Sequence, residues 1–189
     1  MNNIGVVLID KENEKESAAV SKKVLPYLKK VGRRAYDTTF EVIALTDFLV
    51  PVDEQLMVSD KGHQQLAKKD GYIFIVPTFS GGVPEDYCQL FATISDELNN
   101  KSALVICYGS ENDRINTKRR INEVLLQYDI GLPTSDIFLP EYNFFDWHLK
   151  DVIEDYIVSR IKEFIYWTQA MKYLRNLKKS LDLERFVAD

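Results

Sequence analysis

The chain is predicted to be an α/β protein: a three-layer sandwich on a five-stranded parallel sheet, followed by a long C-terminal helical extension. Three observations carry this. Five short segments, at 4–9, 40–45, 72–76, 101–108 and 137–139, are rich in apolar residues and read as strands, and 72–76 has no polar alternation at all, as a strand buried on both faces does. Helical patterns separate or follow them without an internal repeat or a long linker, which specifies a parallel sheet with helices on both sides. Finally, 147–183 contains no proline or glycine and repeats apolar residues at Ile153, Ile157, Ile161, Phe164, Met171, Leu174, Leu177 and Leu181.

The first strand ends at Asp10, and Ser17 is placed to cap a helix carrying Val20, Val24, Leu25, Leu28 and Val31 at helical spacing. Pro26 conflicts with that helix and suggests a kink, while Gly32 suits its C-terminal cap. After the second strand, 52–70 is polar with a short helix over 61–69, and His63 is expected on its solvated side. The third strand, Tyr72, Ile73, Phe74, Ile75 and Val76, is ended by Pro77, which has no N–H for the ladder. Pro84 opens a helix over 85–98. The fourth strand leads through Gly109 to a helix over 114–128 that presents Ile115, Ile121, Val124, Leu125 and Tyr128. Its Lys118, Arg119 and Arg120 suit a solvated face. Pro140 ends the fifth strand.

The expected division is a domain over 1–145 and a helical extension over 146–189. An unbroken helix over 147–183 would be on the order of 50 Å long, more than such a domain can cover. Part of its stripe therefore packs elsewhere, and a homo-oligomer, a homodimer above all, is expected through it. Lys172, Arg175, Lys178 and Lys179 near its end suit the helix dipole.

A hydrophobic content of 46% supports a substantial core. The net charge of -5 and a pI near 5.2 argue against nucleic-acid and anionic-membrane partners. The first sixteen residues hold only a short apolar run before charges, unlike a leader or a membrane span, so a cytoplasmic location is expected. Cys88 and Cys107 lack the paired spacing of metal or redox motifs, and His63 and His148 lack ligand neighbours, so no metal site is expected. No serine sits in a Gly-x-Ser-x-Gly elbow, and no catalytic residue is assigned.

The loop after the third strand, Pro77-Thr78-Phe79-Ser80-Gly81-Gly82-Val83-Pro84, resembles the P-E-Y-N-G-S-x-P loop of the NADPH-dependent FMN reductase family. Asp47-Phe48-Leu49-Val50-Pro51 is similar to the D-L-x-L-P segment that follows that family's second strand. The resemblance covers 4–140 and implies a flavodoxin-like fold with strand order 2-1-3-4-5. Its crevice lies where the carboxyl ends of the first, third and fourth strands converge. It further implies FMN as cofactor and NAD(P)H as co-substrate, with hydride passing to the flavin ring while the protein supplies binding and orientation. Pro77, Thr78, Phe79, Ser80, Gly81 and Gly82 would run along the ring edge, Gly109 and Ser110 would approach it from the fourth strand, and Ser17 would meet the phosphate.

The first loop departs from the family pattern. Where the family has G-S-x-R-x-x-S, this chain reads Ile9-Asp10-Lys11-Glu12-Asn13-Glu14-Lys15-Glu16-Ser17, placing Glu14 or Glu12 at the arginine. A phosphate there would gain from the helix N-terminus but face several carboxylates, which Lys11 and Lys15 only partly offset. After the fourth strand, Glu111, Asn112 and Asp113 replace glycines. Two readings follow: an NAD(P)H-dependent flavin reductase or quinone-type oxidoreductase with a modified phosphate loop, and a flavodoxin-like interaction subunit that has lost flavin.

Overall fold

A computed structural model describes residues 1–9, 14–34, 37–52, 55–133, 137–140 and 151–187. In order these form β1 (Asn2–Leu8), α1 (Glu14–Arg34), β2 (Thr38–Ala44), a 3-10 turn (Leu45–Phe48), β3 (Leu49–Val52), β4 (Gln55–Val58) and α2 (Asp60–Ala67). Then follow β5 (Gly71–Pro77), α3 (Glu85–Thr93), α4 (Ser95–Leu98), β6 (Ser102–Gly109), α5 (Glu111–Leu125), a second 3-10 turn (Leu126–Tyr128), β7 (Ile137–Pro140) and α6 (Asp151–Val187).

One five-stranded sheet runs β2-β1-β5-β6-β7, parallel throughout. Counted among the sheet's own strands this is 2-1-3-4-5; the chain numbering differs because β3 and β4 intervene as a separate antiparallel hairpin that the sequence reading did not foresee. Pro51 hides it, because a proline argues against a strand. In a two-stranded ribbon with free edges the missing N–H costs nothing, and Pro51 pairs with Leu56. Ser59 N donates to Phe48 O at 2.8 Å and closes the hairpin's base.

Alternation along the buried strands sorts side chains into two layers. Tyr72, Phe74 and Val76 of β5 join Val7, Val105 and Cys107 beneath α3, α4 and α5, where Phe91, Leu98, Ile121 and Val124 pack. Ile73 and Ile75 join Val6, Leu104, Ile106 and Ile137 beneath α1 and α6, where Val20, Leu28, Ile157, Ile161 and Phe164 pack. A strand covered on both faces is apolar along its length, which is why 72–76 lacks alternation. Cys88 and Cys107 are both free and buried.

Several helix boundaries differ from expectation. α1 begins at Glu14, so Ser17 sits in its first turn and not at its cap. The helix continues through Pro26 and past Gly32 to Arg34. Gly32 serves a close approach instead, since a Cβ there would lie 2.7 Å from the Thr38 carbonyl oxygen of β2. The helix over 85–98 is broken at Ile94 into α3 and α4. α5 starts at Glu111, which turns the Glu111-Asn112-Asp113 loop into its first turn. Helical spacing puts Thr117 on the buried face with Ile121 and Val124, and leaves Ile115 70% exposed. His63 is half-buried, its Nδ1 2.9 Å from Glu97 Oε1.

α6 is a single helix of 37 residues, about 55 Å long at 1.5 Å per residue. Its basic residues are not spent on its own dipole as expected. Lys172 Nζ donates to Asp70 Oδ2 (2.8 Å) and Met1 O (2.9 Å), while Arg175 donates to Asp70 Oδ1 (3.1 Å) and Asn100 O (2.9 Å). Lys178 Nζ donates to Asn100 Oδ1 at 2.6 Å, and Thr168 Oγ1 lies 2.7 Å from Ser102 Oγ. The helix is thus tied to the segments entering β1, β5 and β6 at the amino end of the sheet.

Two lysines lie buried at that end. Lys69 pairs with Glu41 and with Asn3 Oδ1, and Lys101 Nζ donates to Tyr72 OH at 2.9 Å and to the Ala67 carbonyl at 3.2 Å. Burial, helped by the nearby Arg175 charge, pushes the Lys101 ammonium down to about 8 from its ordinary 10.5. Between those values the unfolded chain holds a proton that the folded chain has shed, so this group makes stability rise with pH from about 8 to 10.5; its penalty is complete below 8. Lys101→Met removes the penalty. In urea unfolding at pH 7.5 and pH 10, the variant's stability relative to the native chain should fall by on the order of 2 kcal/mol as pH rises. A pH-independent difference would contradict this.

Candidate functional site

At the carboxyl edge of the sheet, the loop leaving β5 meets the end of β6. Pro77 pairs with Tyr108, and Thr78 N donates to Tyr108 O at 2.8 Å, carrying the ladder one residue beyond the strand. Thr78 Oγ1 then accepts from Ser110 N at 2.8 Å, a bond that joins the two loops. It needs glycine beside it: Gly109 has φ +119°, and a Cβ there would lie 2.5 Å from Thr78 Oγ1.

Phe79 is held on two sides. Its N–H donates to the buried Thr117 Oγ1 at 3.0 Å, and its ring meets Tyr87 edge-on with centroids 4.7 Å apart. The aromatic side chain therefore packs over the end of the sheet against the core. Beyond it the chain turns, with Gly82 N 3.4 Å from Phe79 O and with Gly81 and Gly82 at φ +83° and +111°. Both glycines are exposed, as is Ser80, and a Cβ at either would meet nothing within 4 Å. The tip of the loop is thus open backbone on a rigid base.

Of the residues nominated from sequence, Pro77, Thr78, Phe79, Ser80, Gly81, Gly82, Gly109 and Ser110 are brought into one continuous surface. Ser17 is buried in the first turn of α1. Asp10, Lys11, Glu12 and Asn13, between β1 and α1, lie outside the described residues, as do the side chains of Glu14, Lys15 and Glu16. Thr117 and Tyr87 were not nominated. The signal for Thr117 was its spacing, four and seven residues before the buried Ile121 and Val124.

The electrostatics of this edge are acidic. α3 opens with Glu85 and Asp86, α5 with Glu111 and Asp113, and α1 with Glu14. At α3 and α5 the helix N-terminus, which favours an anion, already carries its own carboxylates in the first turn. Arg120 is drawn to Glu85 at 3.9 Å, and Arg114 lies over the Phe138 ring at 5.1 Å. The tip presents open backbone at Ser80, Gly81 and Gly82, and carboxylates gather at the starts of α3 and α5. Among the described residues no His/Cys/Asp/Glu group has metal-holding geometry, and no helix is long and apolar enough to cross a membrane.

No known family profile and no curated protein matches the chain by sequence. In three dimensions it is similar to an oxidoreductase from Corynebacterium diphtheriae, with TM-score 0.69 and 12% identity over 90% of this chain and 98% of that one. It is also similar to FerB, a flavoenzyme NAD(P)H:(acceptor) oxidoreductase from Paracoccus denitrificans, with TM-score 0.60 and 12% identity over 90% and 99%. Oxidised flavodoxin 1 from Bacillus cereus matches with TM-score 0.53 and 16% identity over 88% and 98%. At these identities the likeness establishes architecture: the chain has a flavodoxin-like fold.

Proposed function

We propose that the chain is an NAD(P)H-dependent flavin reductase or quinone-type oxidoreductase that holds its flavin mainly by the ring. The observation that carries this is the open, positive-φ tip at Gly81 and Gly82, set on a base fixed by the Thr78 to Ser110 hydrogen bond. When bound, the flavin supplies hydride acceptance and onward electron transfer. The chain's own work is positional. The Ser80, Gly81 and Gly82 backbone meets the ring edge, Phe79 keeps the loop from moving, and Gly109 lets the end of β6 come close. The structural neighbours named as an oxidoreductase, a flavoenzyme and a flavodoxin support the class of chemistry, and the loop's resemblance to the FMN reductases supports FMN.

A specific observation favours a second reading, an interaction subunit without flavin: Glu14, Glu85, Asp86, Glu111 and Asp113 stand at the three helix N-termini of this edge. One titration separates the two. Fluorescence quenching should show riboflavin binding within about threefold of FMN, because the phosphate adds little here. A phosphate held by charge-assisted bonds would instead be worth roughly 1.5 to 3 kcal/mol for each bond. Glu14→Arg should raise FMN affinity about tenfold and leave riboflavin unchanged. A strong native preference for FMN would overturn the ring-dominated account, and binding of neither flavin would favour the interaction subunit.

A further inference from the structure

The distal half of α6 has two unlike sides. Thr168, Lys172, Arg175 and Lys179 follow one another at four, three and four residues and so share one side, where Thr168, Lys172 and Arg175 bond to the amino end of the sheet. Opposite them stand Tyr166, Ala170, Tyr173, Leu174, Leu177 and Leu181, with Trp167 at the margin, all exposed. Every charge between 166 and 181 belongs to Lys172, Arg175, Lys178 or Lys179, and the first three are bonded to Asp70 or Asn100. The outward side over those four turns carries no charge and is largely apolar, with Ser180 at its edge.

We propose that this face docks on the same face of a second copy, the two helices running antiparallel about a two-fold axis. Three features select that occupant. Trp167, Leu174 and Leu181 recur every seven residues with Ala170 and Leu177 between them, the spacing by which two helices interlock. A face without charge meets its own copy without like-charge repulsion and offers nothing to a charged partner. The six large side chains, each between 40% and 68% exposed, present on the order of 600 Å² per copy, so a pair would bury roughly 1,200 Å², the lower bound of a specific interface. Volume decides the direction. Parallel pairing in register sets Trp167 against Trp167 and Ala170 against Ala170, whereas an antiparallel register centred on the stripe sets Ala170 against a leucine and fills the gap.

This proposal is independent of the redox reading and is tested on the full chain. Sedimentation equilibrium at tens of micromolar should return about 44 kDa, twice the 21.9 kDa of one chain. Leu174→Glu with Leu177→Glu should give a monomer with unchanged far-ultraviolet dichroism, since neither side chain enters the core. For direction, oxidised Ala170→Cys alone should not cross-link, while Ala170→Cys with Leu177→Cys in one chain should give a covalent dimer. A monomeric native chain, a double-glutamate variant that stays dimeric, or self-cross-linking of Ala170→Cys alone would each overturn the proposal.

Discussion

Gly109→Ala should lower flavin affinity at least tenfold and cost about 2 to 4 kcal/mol of stability, more than any other single change in the loop. Two causes add. At φ +119° an L side chain is strained, and the new methyl would lie 2.5 Å from Thr78 Oγ1, forcing apart the bond from Ser110 N that fixes the β5 loop to β6. The contrast is Gly81→Ala, where φ is +83° but an added Cβ has open space; that change should cost only about 1 kcal/mol. Thr78→Val separates the causes, because it removes the acceptor and leaves the glycine backbone unstrained. Urea unfolding and flavin titration of the three variants measure the ranking. Equal losses at Gly109 and Gly81 would show that the tie between the loops does not position the site.

Asp70→Ala should cost about 2 to 3 kcal/mol and lower the melting temperature by roughly 5 to 10 °C. Asp70 accepts from Asn3 N at 3.0 Å, from Lys172 Nζ at 2.8 Å and from Arg175 Nη2 at 3.1 Å, and both it and Arg175 are largely shielded from solvent. Burial already disfavours the Arg175 cation, and the Asp70 charge is what opposes that. Removing the carboxylate leaves two cations and a backbone N–H without it, a larger loss than an exposed ion pair entails. Amide hydrogen exchange should then quicken around Thr168 to Arg175 while β5 and β6 stay protected. In a double-mutant cycle, Arg175→Ala in the Asp70→Ala background should cost little more. Additive losses at the two sites would refute the coupling.

The sheet and its layers were legible because β1, β5 and β6 are buried on both faces and carry long apolar runs, as Tyr72 to Val76 do, while the edge strand β2 exposes Glu41 and Val42. The β5 loop was legible because Gly81, Gly82 and Gly109 stand where the backbone takes positive φ. What escaped reading has physical causes. Pro51 masks a hairpin whose free edge tolerates a missing donor. Thr117 was passed over for Ile115 because hydrophobicity suggested the residue, whereas helical spacing from Ile121 and Val124 decided the face. Lys69 was placed at the end of a polar helix and Lys101 at the start of a strand with no partner assigned, yet both are buried beside carbonyl, hydroxyl or carboxylate groups supplied by segments distant in sequence. Lys172 and Arg175 suited a helix dipole, and only the fold brings Asp70 within reach of both.

The layer that α1 begins is completed by α6, which follows every strand of the sheet in the sequence. As the chain emerges from the ribosome, β5, β6 and β7 are all available before Ile157, Ile161, Phe164 and Ile165, the residues that cover one of their faces, have been made. Leu104, Ile106, Tyr108 and Ile137 therefore stay uncovered on that face until the middle of α6 has been made. Closure of this layer waits for α6: a nascent chain halted short of that helix presents the sticky side of its sheet to whatever chaperone or neighbour it meets first.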